Sequence, residues 1–404
     1  MKNLFFGARI IGLFCIILFT MAMLFSCEKY DSEKDFNWIE LDDKTIRITE
    51  YLGENNVVNI PPKIKGKPVT QIGRGAFVGQ NLSSVTIPDN VTAIGDDAFR
   101  NNQLINVTIS KNVTIIGSNT FRNNQLVHIN IPNNVVSINR AAFANNQLVE
   151  IIIPDKVTVI DEGAFMNNQL VNVLLGKSVA HIGGAAFANN QLTQIIIPNS
   201  VTIIDRAAFE IDTRNIRGVP AFNEISQNQN GYGAFMFNQL TSVVLGKGIT
   251  EIGSAAFANN QLSNITIPDN VETIWYAAFA NNQFSTILIP NNVKRIMDEA
   301  FMNNAINDIS IGTGVDEIGD KAFAFNELTN VIIPSNVKEF GGNVFAGNEL
   351  SSVTIGSNVR QSSHGSIIDN SFQTHYFEHG AGTYFNVNGW WNHEEFDESC
   401  YFCR

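Results

Sequence analysis

The chain has 404 residues, which is more than one compact core holds, so it contains several domains or one elongated architecture. Hydrophobic residues make up 44% and charged residues 16%, which excludes disorder of the bulk of the chain. The net charge of −12, without any basic run, makes nucleic acid and anionic membrane surfaces poor partners.

The N-terminus predicts a signal peptide over residues 1–26. Lys2 and Arg9 precede an apolar run over 10–25, which is shorter than the roughly 20 residues of a membrane-spanning helix. The run ends in Leu-Phe-Ser-Cys and a polar stretch follows at once. This ending resembles the bacterial lipobox, whose cysteine is acylated and becomes the new N-terminus. The resemblance implies lipidation at Cys27, and an ordinary cleaved signal that happens to contain a cysteine is the alternative.

A polar tether over 27–39 and an N-terminal cap with a first turn over 40–81 are predicted before a repeated region. From Leu82 to about residue 359 the chain repeats a 22-residue unit, beginning LSSVTIPDNVTAIGDDAFRNNQ and LINVTISKNVTIIGSNTFRNNQ. In each unit an alternating, β-branched stretch such as 85–87 predicts a short strand that proline ends. A second extended or 3₁₀ segment follows at 91–94, and an Ala-Phe pair closes the turn.

The repeat accounts for the excess of phenylalanine, since the chain has 29 Phe beside four Trp and seven Tyr. One Phe recurs per unit, and stacked units bring these rings together in a ladder. The ladder is predicted to contain Phe77, Phe99, Phe121, Phe143, Phe165, Phe187, Phe209, Phe235, Phe257, Phe279, Phe301, Phe323 and Phe345. Asn-Asn-Gln before nearly every leading leucine predicts a second, hydrogen-bonded ladder with a structural role.

The unit LxxIxIPxNVxxIGxxAFxxNQ resembles the BspA-type leucine-rich repeat of bacterial and some protist surface proteins, with Asn where the family usually has Cys. Residues 60–69 also look like the usual start of such an array. The resemblance implies a β-rich solenoid, curved and right-handed, of about 12–13 turns with a parallel sheet on one face. It also implies a role in adhesion to host proteins, other bacteria or matrix.

One step in the repeat is irregular, because Leu192 and Leu240 are 48 residues apart. We interpret this gap as two units plus four residues, with a degenerate strand at 216–219 and a degenerate turn over 210–234. The loop at 227–233 is polar. It is either a binding loop or drift in a tolerant repeat.

Alternation along the strands predicts which side chains face outward, and apolar residues at those positions are candidates for partner binding. The second outward position is polar in the first units and apolar further along. The predicted binding strip is Ile152, Leu174, Ile196 and Val244, with a polar edge formed by Glu150, Asn172 and Gln194. Strand propensity alone, or shielding by neighbouring side chains, is the alternative explanation.

Trp275 and Tyr276 replace small residues of the repeat. Aromatic side chains at an exposed, variable position are typical anchors of interfaces. Packing against the neighbouring turn is the alternative.

The tail over 360–404 departs from the repeat and is predicted to form a C-terminal cap with a strand over 381–385. It contains four of the six histidines together with Cys400 and Cys403. These residues suggest zinc binding as an alternative, but the spacing fits no standard zinc motif. No nucleophile, phosphate-binding loop or dinucleotide motif is present, so we predict neither an enzyme nor a cofactor or metal.

These features together predict a lipid-anchored protein of the bacterial cell envelope that binds another macromolecule through its repeat face. The expected partners are host or bacterial surface or matrix proteins, with the membrane contacted through the lipid and no nucleic acid. A spacer or scaffold without a specific ligand is one alternative. A metal-dependent enzyme that uses the tail is the other.

Overall fold

The computed structural model describes residues 30–205, 232–357, 359–361, 382–387 and 390–394. The signal peptide, Cys27, the segment 206–231 and the tail's other histidines and cysteines lie outside the described residues, and His393 is described in its backbone alone. The described part is a parallel β-solenoid built from turns of about 22 residues, which confirms the predicted fold. Its helical content within these residues is a 3₁₀ turn, Glu33–Asp35.

The strands are numbered along the chain and fall into two repeating classes. The array is preceded by β1 (Phe36–Glu40), β2 (Ile46–Tyr51), β3 (Val57–Asn59), β4 (Lys63–Ile64) and β5 (Lys67–Ile72). The first class, called outer-face strands here, comprises β6 (Ser84–Thr86), β8 (Asn106–Thr108), β11 (Glu150–Ile152), β13 (Asn172–Leu174), β15 (Gln194–Ile196), β17 (Ser242–Val244), β20 (Thr286–Leu288), β22 (Asp308–Ser310), β24 (Asn330–Ile333) and β26 (Ser352–Ile355).

The second class consists of two-residue strands and forms the longer ladder. Its members are β7 (Ala93–Ile94), β9 (Ile115–Ile116), β10 (Ser137–Ile138), β12 (Val159–Ile160), β14 (His181–Ile182), β16 (Ile203–Ile204), β18 (Glu251–Ile252), β19 (Thr273–Ile274), β21 (Arg295–Ile296), β23 (Glu317–Ile318), β25 (Glu339–Phe340) and β27 (Arg360–Gln361). With β1, β2, β4 and β5 they make one 16-stranded sheet, in which each turn pairs in parallel with the next. The second extended segment of the repeat is therefore a strand.

The outer-face strands form shorter sheets, and the breaks follow, with one exception, the residue two positions after the third residue of each strand. Where a strand pairs with the preceding repeat, that residue is Ser110, Gly176, Gly246, Gly312 or, at the β24–β26 pair, Gly356. A Cβ on Gly176 would overlap the carbonyl oxygen of Pro154, so the close approach requires glycine. The corresponding segments that do not pair with the preceding turn are followed by Pro132, Pro154, Pro198, Pro268, Pro290 and Pro334. The exception is β6, which pairs with β3 although Pro88 follows it.

The core is a continuous column of aliphatic side chains and stacked phenylalanines. Adjacent rings lie 4.9 to 5.8 Å apart between centroids, nearly parallel to one another. Tyr51 of the N-terminal region stacks on the first ring at 5.4 Å. The described rungs are Phe77, Phe99, Phe121, Phe143, Phe165, Phe187, Phe235, Phe257, Phe279, Phe301, Phe323 and Phe345.

Asparagines close each turn in two ladders, which confirms their structural role. In the inner ladder the side chain is nearly buried, and Asn168 is typical. Its Oδ1 accepts from the backbone N–H of Leu148 at 3.0 Å, and its Nδ2 donates to the carbonyls of Phe143 and Phe165, each at 3.0 Å. In the outer ladder, where asparagines occupy successive turns, Nδ2 donates to the Oδ1 one turn earlier, as Asn167 does to Asn145 at 2.7 Å. Phe237 and Phe325 interrupt this ladder. Buried backbone groups at the corner are thus paired.

Antiparallel strands cover both ends of the stack. At the N-terminus β1 pairs antiparallel with β2. At the C-terminus β28 (Gly382–Val387) pairs antiparallel with β26, and β29 (Trp390–Glu394) pairs with β28. The strand predicted over 381–385 is present as β28. These caps protect the last repeats from pairing with other chains.

The interpretation of the 48-residue gap as two turns is wrong. Strand β15 pairs directly with β17, β16 pairs directly with β18, and the ring of Phe187 stacks on that of Phe235 at 5.4 Å. No turn of the stack lies between them, so Phe209 is not a rung between these rings. The gap is one 22-residue turn into which the 26 residues 206–231 are inserted. The predicted degenerate strand at 216–219 lies outside the described residues.

Candidate binding surface

The third residue of each outer-face strand points away from the core, and four consecutive turns carry an apolar residue there. Their exposed fractions are 66% for Ile152, 63% for Leu174, 69% for Ile196 and 54% for Val244. The middle residues of the same strands face the core and are buried or half-buried. We call these four side chains the apolar stripe. Their outward orientation follows from the alternation of side chains along a strand.

The stripe is contiguous. Ile152 lies directly opposite Leu174 in the β11–β13 pair, and Ile196 lies opposite Val244 in the β15–β17 pair. The two pairs belong to successive turns, since β14 pairs with β16 on the other ladder. The direct pairing of β15 with β17 places Val244 beside Ile196, although 48 residues separate them in the sequence.

Polar residues bound the stripe at both ends. The preceding turn carries Asn130 at this position and the following turn carries Thr266, and both are exposed. Leu288 and Ile332 occupy the same position further along, with exposed fractions of 66% and 71%. The exposed Ser310 separates them, so these two apolar residues are isolated from each other.

Charged and polar groups lie along both long edges of the stripe. Glu150, Asn172 and Gln194, at the first position of the same strands, are exposed and form one edge, as predicted from alternation. Beyond the other ends of β11 and β13, Lys177 Nζ lies 2.7 Å from Asp155 Oδ2. The hydrogen bond from Lys177 lowers the pKa of Asp155, so the carboxylate is ionised at neutral pH. An apolar centre between polar edges is the usual anatomy of a protein interface.

A groove of about 450 Å³ adjoins the stripe where the outer-face ladder opens after β17. Val244 belongs to both the stripe and the groove. The next outward segment, which Pro268 follows, does not pair with β17, so the outer-face ladder is open there. Lys247 and Asp269 line the groove together with Thr266. The sequence did not predict that these residues line a groove. The signal that marks the groove in the sequence is the change from Gly246 in one turn to Pro268 at the same position of the next turn.

Trp275 and Tyr276 lie elsewhere on the turn, after β19, and the structure does not bring them together with the stripe. The expectation that both are exposed is wrong, because both are half-buried. Trp275 Nε1 donates to Glu251 Oε2 at 2.7 Å, and the Tyr276 hydroxyl donates to Glu299 Oε2 at 2.9 Å. Each ring is thus hydrogen-bonded to a carboxylate of an adjacent turn. This arrangement agrees with the alternative given above, in which the two aromatic residues pack against the neighbouring turn.

Within the described residues, no group of three or more His, Cys, Asp or Glu side chains is arranged to hold a metal ion. The tail residues considered for zinc have no described side chains. Among the described residues there is also no helix long and apolar enough to cross a membrane.

Comparison with known proteins identifies the family. The family described as "BspA type Leucine rich repeat region (6 copies)" matches residues 44–172, 93–217, 136–262 and 250–377, which is well over half of the chain. The chain belongs to the BspA-type leucine-rich repeat family. The family match extends across both repeating strand classes and the N-terminal strands from β2 onward.

Solved structures of other bacterial leucine-rich repeat proteins resemble this BspA-type chain. A leucine-rich repeat protein from Bacteroides ovatus is 21% identical, with a TM-score of 0.59, over 84% of this chain and 91% of that one. A leucine rich cell surface protein from Faecalibacterium prausnitzii is 26% identical, with a TM-score of 0.53, over 83% of this chain and 90% of that one. The comparison with curated proteins gave no match.

Proposed function

We propose that this chain is a lipid-anchored, surface-exposed binding protein of the adhesin type, which holds a protein partner along the apolar stripe. The observation that carries the proposal is the contiguity of the stripe, in which four large apolar side chains on successive turns are each more than half exposed. Such exposure is uncommon in a soluble protein unless a partner covers it.

The dimensions of the stripe suit a protein partner better than a small molecule. Four strands at a spacing of about 4.8 Å place the apolar side chains along roughly 15 Å of the solenoid axis. The stripe is exposed on the strand face and bordered by exposed polar groups, whereas small-molecule sites are usually concave and enclosed. The groove beside Val244 offers a recess where one side chain of the partner inserts.

The family and the composition support a role outside the cell. The similar Faecalibacterium prausnitzii protein is described as a cell surface protein. The net charge of −12 disfavours nucleic acid as the partner. The expected partners are therefore surface or matrix proteins of the host or of other bacteria.

Changing Ile152, Leu174 and Ile196 together to threonine should weaken binding to immobilised extracellular-matrix proteins or to intact cells at least tenfold. Each change removes apolar contact area from the centre of the interface. A tenfold loss corresponds to about 1.4 kcal/mol of binding free energy, a modest share of what three apolar contacts contribute. The fold should persist, because threonine occupies the same position natively at 86, 108, 266 and 354. Surface-based binding assays and circular dichroism measure the two effects.

The matched control changes Leu288 and Ile332 to threonine. These residues occupy the same repeat position with similar exposure but are isolated from the stripe. The control should bind like the unaltered chain. Equal binding by a folded triple variant would exclude the stripe as the binding site and would favour the spacer or scaffold alternative.

We further propose that acylation of Cys27 anchors the protein, since the sequence before it resembles the lipobox. Two or three acyl chains hold a protein on a membrane far more firmly than one chain does. Cys27→Ala should abolish incorporation of labelled palmitate and move the protein from the membrane fraction to the soluble fraction. A variant that is still processed normally and still partitions with membranes would refute the anchor. The substitution Cys400→Ala is a control that should leave both readouts unchanged.

A further inference from the structure

Four carboxyl groups lie close together on the C-terminal turns of the solenoid. Glu317 of β23 lies directly opposite Glu339 of β25 in the parallel pairing of these strands. Asp298 and Asp320 occupy one position of successive turns, and Asp298 Oδ1 accepts the backbone N–H of Asp320 at 2.8 Å. We call these four side chains the carboxyl cluster. Like charges directly opposite each other on neighbouring strands destabilise the pairing of the strands.

The basic side chains described near the carboxyl cluster form no ion pair with it. Arg295 lies opposite Glu317 in the β21–β23 pair, but its Nη2 donates to Thr273 Oγ1 at 3.1 Å. Lys338 Nζ lies 3.0 Å from Oδ1 of Asp316, which is outside the cluster. The other charged residues of the packed turns are Glu272, Lys294, Glu299, Lys321 and Arg360, the last described in its backbone alone.

Desolvation and the neighbouring charges both favour the protonated form of the cluster. Desolvation raises the pKa of Glu317, and the charges of Glu339 and Asp298 raise it further, while Arg295 lowers it. Desolvation also raises the pKa of Asp298, the hydrogen bond from Asp320 lowers it, and the charge of Asp320 raises it. Because Asp298 is exposed whereas Glu317 is half-buried, we expect Glu317 to contribute the larger share.

The direction of the pH dependence follows from these raised pKa values. A carboxyl group whose pKa is higher in the folded chain than in the unfolded chain holds its proton more tightly when folded. Its ionisation therefore costs stability at neutral pH, and this cost is relieved as the pH falls through the folded pKa. We propose that the carboxyl cluster is a pH-responsive element, whose protonation in mild acid strengthens the pairing of β21, β23 and β25.

The affected turns lead directly into the C-terminal cap. Strand β25 pairs with β27, and β26 of the same turns pairs with β28 of the cap. Because each turn of a solenoid is held by its neighbours alone, weaker pairing here loosens this end of the stack. The C-terminal end of the solenoid therefore opens more readily at neutral pH than in mild acid.

Other carboxyl groups titrate on other turns, so the effect has to be measured locally. Hydrogen bonds from lysines of the next turn lower the pKa of Asp89 and Asp155 below the ordinary value of 3.8. Their contribution is lost only as the pH falls below that value. Desolvation raises the pKa of Glu162, but this residue lies several turns before the cluster.

The test is hydrogen exchange of backbone amides in the full chain, with rates corrected for the intrinsic effect of pH on exchange. The Gly319 and Gly341 amides donate to Ile296 and Ile318 of the preceding turns, at 2.7 and 2.8 Å. They should exchange at least about threefold more slowly at about pH 5 than at about pH 7.5. The Gly95 amide, at the same repeat position far from the cluster, should change little. Equal corrected rates for Gly319 and Gly341 at the two pH values would contradict the proposal.

A double variant, Glu317→Gln with Asp298→Asn, removes two charges and keeps the size of both side chains. At about pH 7.5 its Gly319 and Gly341 amides should exchange at least about threefold more slowly than in the unaltered chain, with little further slowing at about pH 5. Asp96→Asn is the matched control, because Asp96 accepts the N–H of Ser118 at 2.7 Å but has this neutral neighbour. It should leave the exchange of Gly319 and Gly341 unchanged. A folded double variant that exchanges like the unaltered chain at about pH 7.5 would overturn the proposal. The measurement on the unaltered chain decides the question if the double variant fails to fold.

Discussion

Phe165→Ala should lower the free energy of unfolding by about 3–5 kcal/mol, as is typical when a buried phenylalanine is truncated to alanine. The ring is fully buried and stacks on both neighbours, with centroids 5.3 Å from Phe143 and 5.4 Å from Phe187. Its loss removes contacts from the turns above and below at once, and the surrounding strands cannot collapse into the space without breaking their register. Equilibrium unfolding in urea, followed by circular dichroism, measures the change.

Phe325→Ala is the matched control, because this ring lies at the asparagine corner and is 54% exposed. The control should lose less than about 1 kcal/mol. In a stack whose turns contact only their neighbours, the Phe165 variant should also unfold with a broader or divided transition. A folded Phe165 variant that loses no more stability than the Phe325 variant would contradict the role of the ring ladder.

Asn168→Ala should lower the free energy of unfolding by about 2–4 kcal/mol, because it leaves several buried backbone groups without partners. The Asn168 side chain accepts from Leu148 N–H and donates to the Phe143 and Phe165 carbonyls, and alanine replaces none of these bonds. Alanine at this corner therefore removes a link between two successive turns. Urea unfolding under the same conditions measures the loss.

The control for the inner ladder is Asn167→Gly in the outer ladder. Asn167 adopts a left-handed conformation with φ of 55°, which glycine tolerates, and Gly347 occupies this position natively. The substitution removes side-chain bonds at a half-buried site, so it should cost less than about 1 kcal/mol. If the two variants lose equal amounts of unfolding free energy, burial of the Asn168 amide does not determine how much it stabilises the fold.

Much of the fold could be predicted from the sequence because every position of the repeat recurs many times. The alternating stretch, the proline after it and the Asn-Asn corner fixed the outer-face strands, the ring ladder and the amide ladder. The same alternation identified the outward position of Leu174 and its neighbours. The alternation does not predict which outer-face strands pair with each other; glycine or serine follows most of the strands that pair with the preceding turn, and proline follows most of those that do not.

The insertion could not be placed from sequence, because residues 201–209 continue the repeat as far as another Ala-Ala-Phe. Two segments, 207–209 and 233–235, therefore compete for one rung, and local pattern does not distinguish them. The direct pairing of β15 with β17 decides in favour of Phe235. Trp275 was similarly misjudged, since its exposure depends on a hydrogen bond to Glu251 on an adjacent turn, which no local pattern encodes.

The most direct test of the proposed function is the ratio of two dissociation constants for immobilised matrix protein or intact cells. One is that of the Ile152, Leu174 and Ile196 triple threonine variant, and the other is that of the Leu288 and Ile332 double threonine variant. If the stripe is the binding surface, the dissociation constant of the triple variant is more than about ten times that of the double variant, a difference in binding free energy of more than about 1.4 kcal/mol. A ratio near one, with both variants folded, would contradict it.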